Sequence, residues 1–337
     1  MMSESSSKSL STPIRRACVT GGAGMIGHRL VTRLLSRGME VAVLDNLGSG
    51  LPMPAAATLA VRGDIRDDAA LGRVVGEFRP DAIIHLAALH HIPTCEAQRA
   101  LCLDVNVTGT ERVLAAAEEA EVDQVVIASS GAVYAWSEEA LSEESSPTEP
   151  QDNYALSKHC NEHQLRLWCR RSGGRGRVAR IFNTLGGDDP NAHLVPDMLR
   201  QLQAAAGETV ALRLGNLSPR RDYVHADEVA DGLVAILRDP RPDPFDIFNL
   251  CSGREHSVGV VAEQLAACLG RSIRIEIDDA RRRPSDRLSQ LGDPAKAAQI
   301  LGWSARLRLR QVLERLLAER RLTLRAQALS STGEGLS

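Results

Sequence analysis

The chemistry of this chain is easiest to find in one short stretch. Tyr154-Ala155-Leu156-Ser157-Lys158 sets a phenol and an amine four residues apart. On a helix that spacing puts both on one face, roughly 6 Å apart along the axis. An ammonium beside a phenol favours the phenolate and lowers its pKa from about 10. Such a phenol can exchange a proton with an alcohol as hydride leaves or arrives. Ser129-Ser130 closes the run Val-Val-Ile-Ala-Ser-Ser, 24 residues before Tyr154. At the end of a strand the Ser130 hydroxyl would project into a crevice and bond the same oxygen as Tyr154. Each feature alone has a plainer reading: a surface lysine beside a half-buried tyrosine, and a strand-to-loop cap.

A second motif gives that chemistry a cofactor. Thr20-Gly21-Gly22-Ala23-Gly24-Met25-Ile26-Gly27 follows an apolar run and opens a helical one. Gly21 allows a tight turn, Gly24 lets backbone approach a pyrophosphate, and Gly27 lets the helix pack close to the sheet. Free N–H groups at the helix start suit the anion. The next apolar run ends in Asp45-Asn46, with Asp45 18 residues after Gly27. Its carboxylate can accept hydrogen bonds from both ribose hydroxyls of NAD and would repel the 2′-phosphate of NADP. Asp64-Ile65 either meets the adenine amino group or caps a helix starting at Arg66. His85-Leu86-Ala87-Ala88 ends a further run in small residues, as a cofactor-lining strand end would. His90-His91 has no nearby cysteine or acid to complete a ligand set, so no metal site is expected.

Those residues need elements to position them. Short apolar runs at 14–20, 40–44, 58–61, 82–86, 124–128, 177–182 and 246–250 read as strands. Segments with helical spacing lie among them, at 25–37, 105–120, 154–171 and 226–237. Strands alternating with helices imply an α/β fold with a doubly wound parallel sheet. After residue 183 the pattern loosens around Pro190, Pro196 and Pro219, with helices expected at 195–206, 258–269 and 309–318. The expected layout is a Rossmann domain from 14–183 plus about 223–253. A smaller discontinuous α/β lobe takes 184–222 plus 254–325. Disordered ends flank them at 1–13 and 326–337.

Composition narrows the function class. The 337 residues are 43% hydrophobic and only 3% aromatic, with a formal net charge of −3. Few rings are available to stack bases, and there is no general excess of positive charge, which argues against nucleic acid. No apolar run approaches the ~18 residues of a transmembrane helix. The seven cysteines are odd in number and form no CxxC pair, which fits reduced thiols. The Ser-rich start lacks the apolar core of a secretory signal, so a cytoplasmic location is expected. Charge is uneven: 271–325 holds 14 Lys and Arg against 7 Asp and Glu. A basic lobe could attract an anionic substrate, or could be a set of solvated helix faces.

Taken in order, TGGAGMIG, DNLGSG, GDIRD, HLAA, NVTGTERVLAAA, SSGAVY, YALSK, RIFNTLG, RRDYVHADEVADG and DPAKAAQILGW resemble the blocks of the extended short-chain dehydrogenase/reductases. The resemblance covers about 15–318 and is specifically to the nucleotide-sugar epimerases and dehydratases. It implies Ser130, Tyr154 and Lys158 as the catalytic set. It implies NAD contacts at Gly21, Gly24, Met25, Ile26, Gly27, Asp45, Asn46, Asp64, Ile65, Leu86, Ala87, Ala88, Asn106, Ser129, Tyr154 and Lys158. On the substrate side it implies Ser130, Asn183, His193, Arg221, Arg283 and Asp286, the arginines gripping a nucleotide diphosphate and Asp286 its ribose. It also implies a homodimer through 105–120 and 154–171, with Val113, Leu114, Leu165 and Leu167 as candidate seam residues. The activity it implies is C4 epimerisation through a 4-keto sugar. A 4,6-dehydratase usually carries an Asp-Glu pair after the Ser, where this chain has Gly131-Ala132. The same motifs would also serve a keto-sugar reductase or a dinucleotide-sensing binding protein. Departures at Ala135-Trp136, His193 and Gln290 fall near the sugar.

Overall fold

The computed structural model describes residues 14–189, 193–205, 209–282 and 287–320. The ends expected to be disordered lie outside them. The described strands are β1 (Arg16–Thr20), β2 (Glu40–Asp45), β3 (Leu59–Arg62), β4 (Ala82–His85), β5 (Gln124–Ser130), β6 (Arg175–Ile181), β7 (Asn183–Leu185), β8 (Thr209–Leu214), β9 (Arg220–His225), β10 (Phe245–Leu250), β11 (Glu255–Ser257) and β12 (Ser272–Ile277). Seven of them form one parallel sheet in the order β10-β6-β5-β4-β1-β2-β3. Its inner strands are buried on both faces, which is why β1, β2 and β4 read as unbroken apolar runs rather than alternating ones. The chain winds outward from β1 to β3 and then crosses to β4 on the other side. The carboxyl ends of β1 and β4 therefore splay apart into a crevice.

Helices Met25–Leu35 and Ala226–Leu237 cover one face, packed with β1, β10 and Trp303. Gly109–Glu119 and Asn153–Ser172 cover the other, with Trp168 fully buried between helix and sheet. The expected 105–120 helix is shorter, because the chain opens into a wide π-type turn at Asp104–Thr108 before Gly109. Three of the four expected seam residues belong to this core. Val113, Leu114 and Leu165 are 0% exposed, and only Leu167, 49% exposed, faces outward. One ion pair is wholly interior: Arg177 on β6 donates through Nε to Asp239 Oδ2 at 2.9 Å, and both side chains are 0% exposed.

The lobe has its own core, built by Leu194–Ala204, Val258–Cys268 and a helix through 309–320. β12 pairs with β8, and β9 lies between β11 and β7. A strap at 287–293 joins lobe to sheet. Arg220 N donates to Leu288 O at 2.7 Å and Asp222 N to Gln290 O at 3.1 Å. Leu141 N then donates to Leu291 O at 2.8 Å. Among the described residues no helix is long and apolar enough to cross a membrane.

Candidate active site

Local capping places the reactive phenol. Asp152 caps the helix Asn153–Ser172, its side chain accepting from Ala155 N at 2.7 Å. Tyr154 therefore sits in the first turn, where that helix begins beside the end of β5. Lys158 follows one turn later. It is buried, its ammonium donates to Ala128 O at 2.9 Å, and it lies 5.9 Å from the Tyr154 ring centre. The Ser130 side chain, at the end of β5, accepts from Ala132 N at 3.1 Å, and the helix that carries Tyr154 packs against that strand. The fold thus brings Ser130, Tyr154 and Lys158 together from two elements.

The electrostatics differ from the expectation that Lys158 brings the phenol towards neutrality. Burial pushes the Lys158 amine down to about 8. Tyr154 keeps some solvent access, yet the protein packed round its phenol holds it above its ordinary 10, against the lowering influence of the Ser130 hydroxyl. Loss of water is the largest influence on the phenol, and Asp152 adds to it. The phenol is protonated at neutral pH. His85, held between Thr20 Oγ1 at 2.6 Å and Thr110 Oγ1 at 2.9 Å, is pushed down to about 3 by burial and by Lys158, and so adds no charge here.

Ser129 faces the other way. Successive strand residues alternate sides, so only one of the two serines can open on the crevice. Ser129 Oγ donates to Glu162 Oε1 at 2.6 Å, and Glu162 holds Arg180 through two bonds of 2.9 and 2.7 Å. Its side chain is thus not cofactor-lining. The Asn106 amide is also fully engaged, with Leu89 N and O and with Ser157 Oγ. It braces the loop after β4 rather than presenting a free group. Ile65 is core, packed against Gly109. Asp64 pairs with Arg66, whose bonds hold its carboxyl below the usual range. The helix cap in that segment is Asp67, which accepts from Ala69 N, so Asp64 is not the cap.

The glycine loop fits a dinucleotide. A Cβ on Gly21 would lie 2.6 Å from Ala87 N, and one on Gly27 2.1 Å from Gly21 O. Both are therefore fixed by packing, Gly21 with a φ of 73° against the end of β4. Gly24 is different: a Cβ there would meet only Gly21 O, at 3.3 Å, and otherwise open space. It leaves a cradle in front of the backbone. The helix Met25–Leu35 has no side-chain cap and no acid in its first turn, so its leading N–H groups are free for an anion such as pyrophosphate. Asp45 Oδ2 accepts from Ala23 N at 3.0 Å and Oδ1 from Leu47 N at 2.7 Å, which fixes the carboxylate beside the loop with lone pairs to spare. Asn46 Oδ1 accepts from Gly48 N at 2.8 Å. Leu86, Ala87 and Ala88 are partly exposed at the crevice wall.

On the other side of the crevice Asn183 is exposed at the start of β7. His193 bonds Asp189 at 2.8 Å, and its ring lies 5.6 Å from His91 and 6.0 Å from His90. Arg221 donates to Arg220 O at 2.9 Å and to Arg287 O at 2.7 Å. Arg283 and Asp286 lie outside the described residues. Many charges of the basic lobe are matched internally, as in Arg281 with Asp197, Arg310 with Glu314 and Lys296 with Asp246. Sequence reasoning passed over Arg287, which is buried against the loop that follows Ser130. No spacing or motif set it apart from the Arg281–Arg283 run.

The chain is similar to a UDP-glucose 4-epimerase of Halalkalibacterium halodurans, 33% identical over 301 residues, covering 85% of this chain and 89% of that protein. It is similar in structure to a Thermus thermophilus UDP-glucose 4-epimerase in complex with NAD, with a TM-score of 0.81, 29% identity and coverage of 91% and 99%. MoeE5, in complex with UDP-glucuronic acid and NAD, gives a TM-score of 0.77 at 27% identity, with coverage of 91% and 99%. The model of the NAD dependent epimerase/dehydratase family matches residues 17–251, and the chain belongs to that family.

Proposed function

We propose that this protein is an NAD-dependent epimerase acting at C4 of a sugar joined to a nucleoside diphosphate, through a transient 4-keto sugar. The single observation that carries this is the placing of the Tyr154 ring 5.9 Å from the ammonium of a buried Lys158, in the helix that begins beside the strand end bearing Ser130. NAD, held by the Gly21–Gly27 loop with Asp45 on its ribose, would supply a reversible hydride acceptor. Ser130 orients the O4 hydroxyl. Tyr154 passes its own proton to bulk water, and as the phenolate takes the O4 proton and later returns it. Lys158 is the charge that stabilises the phenolate. Asn183, His193 and Arg221, with Arg283 and Asp286 by resemblance, would hold the nucleotide and sugar. The large sheet forms the NAD-binding half and the lobe the substrate half.

One observation counts against dehydration. The chain has Gly131-Ala132 where a dehydratase carries its acid pair, and a Cβ on Gly131 would already lie 2.9–3.0 Å from the Phe182 ring. Relatives named as UDP-glucose 4-epimerases favour a UDP-sugar, and the MoeE5 complex adds UDP-glucuronic acid to the ligands worth trying. We read the protein as a cytoplasmic homodimer, with Leu156 and Leu167 as outward apolar side chains on the Asn153–Ser172 helix. The test is NAD-loaded protein with UDP-glucose, followed by NMR for UDP-galactose. Loss of one water by mass would make it a dehydratase, and consumption of NAD(P)H a reductase. Binding without turnover would make it a sensor.

A further inference from the structure

Among the described residues four arginines are nearly or fully buried: Arg175, Arg177, Arg180 and Arg287. Three have an acid close by. Arg177 pairs with Asp239, Arg175 feels the same carboxylate, and Arg180 pairs with Glu162. Arg287, 7% exposed, has none among the described residues. Its bonds all go to backbone carbonyls: Nε to Ser289 O at 2.9 Å, Nη1 to Gly131 O at 3.3 Å, and Nη2 to Ala135 O at 2.9 Å. Among the described residues the charge that acts on it is another cation, Arg221. Burial and Arg221 push Arg287 down to about 10. A buried charge without a counter-ion is costly, and fixing one in place needs a reason.

Its position supplies that reason. Gly131 directly follows Ser130, so the guanidinium lies against the loop that presents the O4-orienting hydroxyl. A guanidinium has five N–H donors. Three are used, which leaves one N–H on each terminal nitrogen for a further acceptor such as a carboxylate. On a pyranose whose O4 is held by Ser130, the substituent at C5 is the neighbour of C4. In a hexose that substituent is a neutral hydroxymethyl group. In a hexuronate it is a carboxylate.

We propose that Arg287 is the counter-ion for a carboxylate at C5 of the sugar, and that the preferred substrate class is a nucleotide-linked hexuronate; this rests on the epimerase reading above. The strap carries the specificity. Arg220 and Asp222 pair with Leu288 and Gln290, so Arg287 reaches the catalytic loop from the lobe side. Arg221, whose Nη1 bonds the Arg287 carbonyl, sits on the same strand edge and serves the diphosphate.

The test compares UDP-glucuronic acid, UDP-glucose and UDP on the NAD-loaded wild type and on Arg287→Met and Arg287→Lys. The expected wild-type kcat/KM is about 100-fold higher for UDP-glucuronic acid than for UDP-glucose. Arg287→Met should lower that ratio about 100-fold, and Arg287→Lys should restore part of it. UDP carries the diphosphate without a sugar, and its affinity by calorimetry should shift less than about threefold in both variants. Equal loss for both sugars and for UDP would overturn the proposal and make Arg287 a loop strap or a diphosphate ligand. A wild type that turns over UDP-glucose at least as well would overturn it and leave epimerisation standing. Failure to bind or convert any of the sugar nucleotides would overturn both readings together.

Discussion

Replacing Lys158 by Met should make the protein more stable at neutral pH while disabling it. The amine sits at about 8 instead of 10.5, because burial strips its water. While charged, it costs the fold about 3 kcal/mol. The folded state holds this proton less tightly than the unfolded chain. The penalty is therefore full below about pH 8 and fades between 8 and 10.5. Methionine fills the same straight space without charge. It also gives up the bond to Ala128 O, a loss of about 1 kcal/mol. The net gain is about 2 kcal/mol at pH 7. By pH 10.5 the penalty has gone, the lost bond remains, and the variant should be the less stable by about 1 kcal/mol. Urea unfolding at pH 7 and at pH 10.5 measures both. Epimerisation at pH 7 should fall roughly 10²–10⁴-fold. A variant less stable than wild type at pH 7, or a difference equal at the two pH values, would refute the reasoning.

Tyr154→Phe should lower kcat roughly 10²–10⁴-fold with little change in NAD affinity by fluorescence titration. Asp45→Ala should bring the affinities for NAD and NADP to within about tenfold of each other, since the repelling carboxylate is gone; direct titration of both dinucleotides checks it. Asp239→Ala leaves Arg177 charged and wholly buried, and chemical denaturation should show a loss of about 3–5 kcal/mol. Light scattering should give twice the chain mass at micromolar concentration, and Leu167→Glu should shift it towards the monomer.

The sheet was largely legible because its strands are buried on both faces and its turns carry glycine and acid at fixed places. Ser130, Tyr154 and Lys158 were legible as neighbours because a strand and the helix that follows it meet at the carboxyl edge of a parallel sheet. What failed was orientation. Ser129 and Ser130 are adjacent, and sequence alone did not say which one faces Glu162. Val113, Leu114 and Leu165 look like seam residues until the sheet beneath them is known. The lobe strands were missed because they alternate or open on charge, as in Arg220–His225 and Ser272–Ile277. Arg287 was unreadable because its meaning lies in having no carboxylate close by among the described residues, and only a packed structure reveals that.

Helix Met25–Leu35 packs beside Ala226–Leu237, on the face that β10 also helps to close. During synthesis at about 5–20 residues per second, some 200 residues separate the two, so roughly 10–40 s pass before the partner emerges. Through that interval Leu30, Val31 and Leu34 have no Leu233 or Phe248 to bury them. The nascent first half is therefore a ready client for chaperones. A chain truncated after β6 should be recovered as aggregate rather than as a small cofactor-binding domain.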